Sequence, residues 1–337
     1  MVKPKRKKVQ SLLMSIAVVL LVYLVRQGDL KGIFVQVGAI PVWLFLTLIG
    51  LQIVTQLLLN YQWYRLCQVF GWPTSFFQLL LVNSYGAVAD AVTPGEKIGG
   101  EVVRVVKLRS YLGYSTGQST ILVAIQKALS LSALVLLNVA VVATMAHHIT
   151  FLQAWPVRLL LFLILIAIGA FLFYLFFRTR SLKNRLARIR TTRKLLLSLI
   201  NWVEDCANLT DRIRQKPGEW LFQLALSVLI WVIFPLKLIM LILLHTNSIP
   251  TLVLFGATFL SYFAGMIPLL PGGLGAFEGT MSGMLTAYGL RLNQAVAIAV
   301  VFRFITFWFV LILSLFFIGG ERIVLYMQRR STDDQHS

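Results

Sequence analysis

The sequence predicts an all-α, polytopic integral membrane protein with about six full spans and two oppositely oriented re-entrant hairpins. Of its 337 residues, 58% are hydrophobic and 13% are charged. Apolar runs longer than about 18 residues, such as 159–177, exceed what a buried core helix needs and match the thickness of a bilayer. Basic residues cluster beside these runs, as they do on the cytoplasmic side of membrane proteins. The alternating ten-residue pattern of an outer-membrane barrel does not occur.

The apolar runs place the full spans in chain order. They are expected at about 11–26, 41–64, 116–146, 152–177, 219–245 and 293–318. A basic stretch precedes the first of them, as in a signal peptide. We nevertheless expect an uncleaved span, because the run lacks a small-x-small cleavage site and continues into Arg26.

The net charge of +19 is explained by the membrane rather than by nucleic acid. Most of the basic residues lie in the first residues, in a basic linker at about 178–217 and near the C-terminus. Such flanks mark the cytoplasmic side and attract anionic headgroups. We therefore expect a multi-pass protein of the plasma membrane (a bacterial inner membrane) with cytoplasmic N- and C-termini.

The segment 75–109 does not fit two ordinary crossings. If 75–92 crossed fully from the cytoplasm, four basic side chains would be translocated against the positive-inside rule: Lys97, Arg104, Lys107 and Arg109. A re-entrant hairpin removes this conflict. One short helix enters from the cytoplasm, breaks at the sequence TPGEKIGG, and a second helix returns.

The segment 251–290 presents the same difficulty. The linker 178–217 places the start of span 219–245 inside, so a full crossing by 251–270 would leave the basic C-terminal end outside. A second hairpin, entering from the outside and broken at PLLPGGLGAFEG, leaves both termini cytoplasmic. Broken backbone at membrane depth is tolerated only where protein or water satisfies its amides, so both breaks are expected to face a cavity.

A shift of 177 positions relates the two hairpins. It superimposes identical residues, Ser84, Tyr85, Ala87, Pro94, Gly95 and Glu101 falling on Ser261, Tyr262, Ala264, Pro271, Gly272 and Glu278. The flanking spans keep the same offset, which predicts repeats at about 41–146 and 219–318 within a single transmembrane domain, 1–337. By the charge argument their orientations are opposite, and inverted repeats with discontinuous helices are a transporter arrangement.

The residues at the breaks suit an anion. The glycines permit positive φ and close approach of a ligand, and the helices that open near Gly99 and Gly275 direct unpaired amides toward the breaks. Glu101 and Glu278 lie in the first turn of these helices, where a carboxylate complements the dipole, pairs with a cation or carries a proton.

Three cations lie inside predicted spans: Lys127, Lys237 and Arg303. Such cations are costly and normally face a cavity, a carboxylate or a ligand. The sequence leaves two interpretations open, namely ion pairs with Glu101 and Glu278 or contact with an anionic headgroup.

The stretches PGEKIGGEVVRVVKL, PGGLGAFEG and VFRFITFWF resemble the YbhN-type family, which shares its domain with the transmembrane flippase-like region of lysylphosphatidylglycerol synthases. The resemblance covers nearly the whole chain and implies movement of an anionic or aminoacylated phospholipid, or of a polyprenyl-linked lipid, between leaflets. The positions that it implicates are Pro94, Gly95, Gly99, Gly100, Glu101, Arg104, Pro271, Gly272, Gly273, Gly275, Glu278 and Arg303. Glu96 departs from the pattern, since a small residue is expected there. We expect at most the translocation function of that family and no lipid synthesis, because a soluble aminoacyl-transfer domain is not found in this sequence.

The leading functional hypothesis is therefore a lipid translocator and not an enzyme. A secondary transporter of small anionic solutes, a membrane-embedded lipid-linked transferase and a scaffold that binds lipid without moving it are the alternatives. The transferase is disfavoured because the predicted outside loops are short and contain Asp29 as their one acid. We expect membrane lipids with an anionic headgroup as partners, no nucleic acid, no cofactor and no metal site, and the sequence leaves room for a homo-oligomer.

Overall fold

The computed structural model describes residues 35–72, 74–93, 99–145, 216–244, 249–266 and 271–333, together with residues 155, 159, 163, 197, 200 and 204. The elements of regular secondary structure within these ranges are helices. In chain order they are α1 (Val42–Phe70), α2 (Phe76–Val92), α3 (Gly99–Leu112), α4 (Thr116–Met145), α5 (Pro217–Ile242), α6 (Thr251–Met266), α7 (Ala276–Ala287), α8 (Leu292–Arg303), a π-helix (Phe304–Trp308) and α9 (Phe309–Asp333).

Four of the predicted spans are confirmed as helices long and apolar enough to cross a bilayer. They are Val42–Phe70, Thr116–Val141, Gly218–Ile242 and Leu292–Val324. The spans predicted at 11–26 and 152–177 lie outside the described residues, apart from the single positions given above. The chain is thus an α-helical membrane protein, and the number of six spans stays a prediction.

Capping explains where several helices begin and end. The helix α1 runs past the predicted boundary at residue 64 because its first stop signal is Gly71, whose φ is 72°. Gly113, with φ of 68°, ends α3 in the same way. The helix α4 begins with a capping box, in which the Ser115 hydroxyl accepts from the Gln118 N–H at 3.1 Å and the Gln118 side chain accepts from the Ser115 N–H at 2.9 Å.

Four helices are shorter than the spans and flank the two predicted breaks. The helices α2 and α3 have 17 and 14 residues, and α6 and α7 have 16 and 12. At about 1.5 Å per residue, each is shorter than the hydrocarbon core of about 30 Å. The lengths agree with half-helices, whereas their re-entrant course in a membrane stays a prediction.

The chain divides into two compact units, and the predicted single domain with its two repeats stays a prediction. Unit one comprises Met1–Ile53, Phe77–Lys107 and Leu260–Ser337. Unit two comprises Val54–Phe76 and Leu108–Phe259. Both predicted breaks belong to unit one, so the geometry that joins them can be read within a single unit.

Buried side chains hold unit one together around the second break. The helix α7 packs against α8. The Phe277 ring lies edge-on to Tyr262 with centroids 5.0 Å apart and is stacked on Phe302 at 6.0 Å. All three side chains are almost completely buried, so α6, α7 and α8 share one aromatic core.

Unit two contains a ladder of buried polar side chains between α1, α4 and α5. The Gln62 amide donates to the Gln223 carbonyl at 3.1 Å and to the Ser227 hydroxyl at 2.6 Å, and it accepts from Gln126 at 3.2 Å. At its end, Glu219 accepts from Arg65 at 2.8 Å. Within a membrane bundle, such hydrogen bonds join helices where apolar contacts provide little driving force.

Candidate functional site

The two breaks meet each other in unit one. The Gly272 N–H donates to the Thr93 carbonyl at 3.2 Å. Thr93 directly follows α2, and Gly272 lies in the turn that precedes α7. Of the predicted site residues at the first break, Pro94 and Gly95 lie outside the described residues. The described ends of the two breaks are therefore joined by a backbone hydrogen bond.

Asp90 organises the first break. Its Oδ1 accepts from the Gly100 N–H at 2.8 Å, and its Oδ2 lies 3.2 Å from Arg104 Nη2. Asp90 is 7% exposed. The carboxylate thus comes from the end of α2 and receives both an amide of the first turn of α3 and an arginine of the second turn. This is the position of an N-cap acceptor, with the favourable sign for the helix dipole.

Small residues allow α2 and α3 to approach so closely. A Cβ atom added at Gly100 would collide with the Asp90 carboxylate and with the Gly86 carbonyl. One added at Gly86 would lie 2.5 Å from Arg104 Nε. At Gly99 it would collide with the Thr93 side chain. Glycine is required at these helical positions by lack of space rather than by φ.

Glu101 and Lys107 continue the polar face of α3. Glu101 Oε2 lies 3.4 Å from Arg104 Nη1, one turn along the helix. Lys107 Nζ lies 3.6 Å from the centre of the Tyr85 ring, a cation–π contact with α2. The Tyr85 hydroxyl in turn donates to Glu321 at 3.2 Å. Arg104 is therefore placed between two carboxylates, Asp90 and Glu101.

The second break is a glycine turn that only this residue type can form. Gly272, Gly273 and Gly275 have φ of 60°, 69° and 79°, a region that other residues rarely adopt. Space is also lacking, because a Cβ at Gly273 would lie 2.5 Å from the Gly265 carbonyl oxygen. The positive φ values expected from the sequence PGGLG are confirmed.

Glu278 closes the start of α7. Its Oε2 accepts from the Gly275 N–H at 2.7 Å, and its Oε1 lies 3.5 Å from Arg303 Nε. Glu278 thus serves both the helix terminus and an intramembrane arginine. At this break, two of the three roles offered for such a carboxylate apply together, as dipole complement and as counter-ion.

Arg303 is held on all sides and is 1% exposed. Its Nη2 donates to the Gly272 carbonyl. Its guanidinium carbon lies 4.6 Å from the centre of the Phe277 ring and 4.3 Å from that of Phe307. Together with Glu278, these contacts fix the plane of the guanidinium at the second break, an arrangement that lysine could not reproduce.

A π-helical turn places the Phe307 ring beside Arg303. The span continues from α8 through Phe304–Trp308 in π form, and the Phe309 N–H bonds back to the Phe304 carbonyl. Phe307 lies within this turn, and a Cβ at Gly272 would lie 2.5 Å from its ring. Single π turns inside α-helices recur at functional sites.

Lys127 and Lys237 belong to unit two and not to the unit that contains the breaks. Lys237 is fully buried. Its Nζ donates to the Thr55 hydroxyl at 3.0 Å and lies 4.6 Å from the centre of the Phe234 ring. Lys127 is half-buried on α4. Their part in substrate binding stays a prediction.

The structure brings together predicted residues of both breaks and adds residues that the sequence did not rank. Gly99, Gly100, Glu101 and Arg104 lie at the first break, and Pro271, Gly272, Gly273, Gly275, Glu278 and Arg303 lie at the second. Asp90, Gly86, Phe277 and Phe307 are the additions. Asp90 carried a signal, because an acid inside an apolar helix is a functional candidate by default. Nothing in the sequence distinguished Phe277 and Phe307 as site residues, since phenylalanine is common throughout the chain.

The comparison with protein families shows which family the chain belongs to. The family model described as the lysylphosphatidylglycerol synthase TM region matches residues 10–314. The chain belongs to this family. The match includes both breaks and, up to residue 314, the four helices long enough to cross a bilayer, so the resemblance expected from the sequence motifs is confirmed.

Two relatives of this chain are UPF0104 membrane proteins. A UPF0104 membrane protein of Methanothermobacter thermautotrophicus is 26% identical over 249 residues, which are 69% of this chain and 71% of the relative. A UPF0104 membrane protein of Methanocaldococcus jannaschii is 21% identical over 291 residues, 82% of this chain and 84% of the relative. Their names place these family members in a membrane and state no activity.

Proposed function

We propose that this chain is a lipid translocator that moves the headgroup of an anionic or aminoacylated phospholipid, or of a polyprenyl-linked lipid, between membrane leaflets. The observation that carries the proposal is the meeting of the two breaks, where Gly272 donates to the Thr93 carbonyl and each break contains a nearly buried arginine. The family supports a role connected with lipid, since its name refers to a lysylphosphatidylglycerol synthase.

The proposal includes two opposed re-entrant hairpins, α2–α3 and α6–α7, and cytoplasmic termini. The short helices and the glycine breaks support this topology. The charges of α3 support it further, because a hairpin keeps Arg104 and Lys107 from complete translocation. In inverted-repeat transporters, discontinuous helices meet at the substrate site near the bilayer midplane, and we assign the same role to these breaks.

The proposal places the headgroup against Arg104 and Arg303. Guanidinium groups bind phosphate through paired hydrogen bonds, and helix N-termini add backbone amides with the right dipole. Both elements are present at each break, with α3 beginning at Gly99 and α7 following Gly275. A phosphate oxyanion, which a lipid headgroup supplies, is the ligand class that this set of donors suits.

Reconstituted protein tests the proposal. In liposomes with a fluorescent phosphatidylglycerol, we expect the purified chain to speed exposure of the headgroup to an impermeant quencher. Arg303→Ala should lower the rate at least about tenfold, since hydrogen bonds and ion pairs of a charged group are worth about 1.5–3 kcal/mol. Arg291→Ala is the matched control, because Arg291 is an exposed arginine of the same unit at the start of α8.

Equal rates for the wild type, Arg303→Ala and empty liposomes would contradict the proposal. The comparison should include phosphatidylglycerol, an aminoacylated phospholipid and a polyprenyl phosphate. Thermal stabilisation by a soluble anion, with none by these lipids, would instead indicate a transporter of small anionic solutes.

A further inference from the structure

Each break already contains an anion that the chain itself supplies. At the first break, Asp90 accepts from the Gly100 N–H at 2.8 Å and lies 3.2 Å from Arg104. At the second, Glu278 accepts from the Gly275 N–H at 2.7 Å and lies 3.5 Å from Arg303. The same three groups therefore recur, namely an amide at a helix N-terminus, an arginine, and a carboxylate that bridges them.

Different elements supply these groups at the two breaks. Asp90 lies on the helix before the first break, whereas Glu278 lies on the helix after the second. The shift that superimposes the repeats pairs Glu278 with Glu101, which lies 3.4 Å from Arg104 but is not the group that receives the Gly100 amide. The recurrence of the bridging carboxylate is therefore not a simple consequence of sequence duplication.

We propose that Asp90 and Glu278 are resident competitors for the phosphate oxyanion of the headgroup. This inference rests on the proposed function. Amides of a helix N-terminus and arginine forks are phosphate donors, and in each break a carboxylate occupies them. Because the single N–H of Gly100 or Gly275 already donates to a carboxylate, a phosphate gains that amide only by displacing the carboxylate. The competition keeps binding weak enough for release, which passage across a membrane requires.

Removing the charge of Asp90 or Glu278 should change the affinity for an anion in a definite direction. If the carboxylates compete with a phosphate, removal of their charge tightens binding of an anion. If they instead contact an ammonium group of the ligand, the same change does not tighten binding of an anionic lipid. Asp90→Asn and Glu278→Gln are nearly isosteric and keep an oxygen that accepts the helix amide, so each variant removes the charge and retains the cap.

Calorimetric titration of the full chain in detergent measures the effect. The probes are dihexanoylphosphatidylglycerol and inorganic phosphate, which present the oxyanion on a lipid and as a free ion. Glu321→Gln is the matched control, since it removes one carboxylate of unit one that accepts from the Tyr85 hydroxyl rather than from a break. We expect each of the two break variants to bind the short-chain lipid about tenfold more tightly, and the control to bind it as the wild type does.

The outcomes separate this inference from the proposed function. Unchanged or weaker binding of both probes, the short-chain lipid and inorganic phosphate, in both break variants would overturn the inference. An equal gain in Glu321→Gln would also overturn it, because it would indicate a general effect of charge. If one of the two break variants does not fold, as judged by its thermal midpoint, the binding measured for the other variant tests the inference. A gain for inorganic phosphate without one for the lipid would support the competitor role and contradict lipid translocation.

Discussion

Gly100 provides the sharpest test of how the first break is packed. A Cβ at this position would collide with the Asp90 carboxylate and with the carbonyl of Gly86, and a backbone carbonyl cannot rotate away as a side chain can. Gly100→Ala must therefore separate α2 from α3 or displace Asp90 from the Gly100 N–H. Overpacking costs about 1–3 kcal/mol, and loss of a hydrogen bond to a charged group costs about 1.5–3 kcal/mol.

Helix propensity acts in the opposite direction. Replacing glycine by alanine inside a helix stabilises it by about 1 kcal/mol when nothing obstructs the methyl group. We expect Gly100→Ala to lower the free energy of unfolding by a net amount of about 2–4 kcal/mol. Gly50→Ala is the matched control, because Gly50 lies inside α1 in the same unit and an added Cβ meets nothing within 4 Å.

Thermal unfolding in detergent, followed by tryptophan fluorescence, distinguishes the two variants. Gly100→Ala should lower the midpoint by several degrees, and Gly50→Ala should leave it unchanged or raise it slightly. If Gly100→Ala is as stable as Gly50→Ala, the close approach of α2 to α3 at Asp90 is wrong, and the geometry assigned to the first break is wrong with it.

Three further predictions concern other parts of the chain. Arg303→Lys keeps the charge but loses the planar group between two rings, so stability should fall by about 1–3 kcal/mol; an unchanged thermal midpoint would contradict this. Gln62→Leu should cost about 1–3 kcal/mol by leaving buried partners unsatisfied, and no loss would argue against the polar ladder. Single cysteines at Arg109 and Arg291, both exposed, should react with an impermeant reagent from opposite sides, 291 from the outside. Labelling of both cysteines from the same side would contradict the opposite orientation of the two repeats.

The four helices that are long and apolar enough to cross a bilayer could be predicted because bilayer thickness imposes a length and a composition that few other structures share. The glycine turn of the second break could also be predicted from the sequence, since PGGLG favours positive φ. Ion pairs with Glu101 and Glu278 were one of the two interpretations that the sequence left open for the intramembrane cations. Arg303 does pair with Glu278, and Arg104 lies beside Glu101.

The partner choice at the first break could not be predicted. Asp90 and Gly100 are separated by ten positions that include the break, and which carboxylate reaches the α3 amide depends on the close packing that Gly86 permits. Arg303 lies between the rings of Phe277 and Phe307, and Phe307 belongs to a π-helical turn. The hydrophobic periodicity of the sequence does not predict such a turn. The offset of 177 positions suggested that the two breaks correspond to each other in the repeats. It could not predict that they are in contact, because the hydrogen bond between Gly272 and Thr93 joins residues far apart in the sequence.

The central claim is that a lipid headgroup passes the point where the two breaks meet, and headgroup photo-crosslinking tests it most directly. A phosphatidylglycerol analogue with a photoreactive headgroup would be incorporated into liposomes with the full chain, and the adducts mapped by mass spectrometry. We predict adducts beside Arg104 and Arg303 that disappear with excess unlabelled lipid and in Arg303→Ala. Adducts spread over the exposed faces of the spans, and unaffected by competing lipid, would contradict the claim.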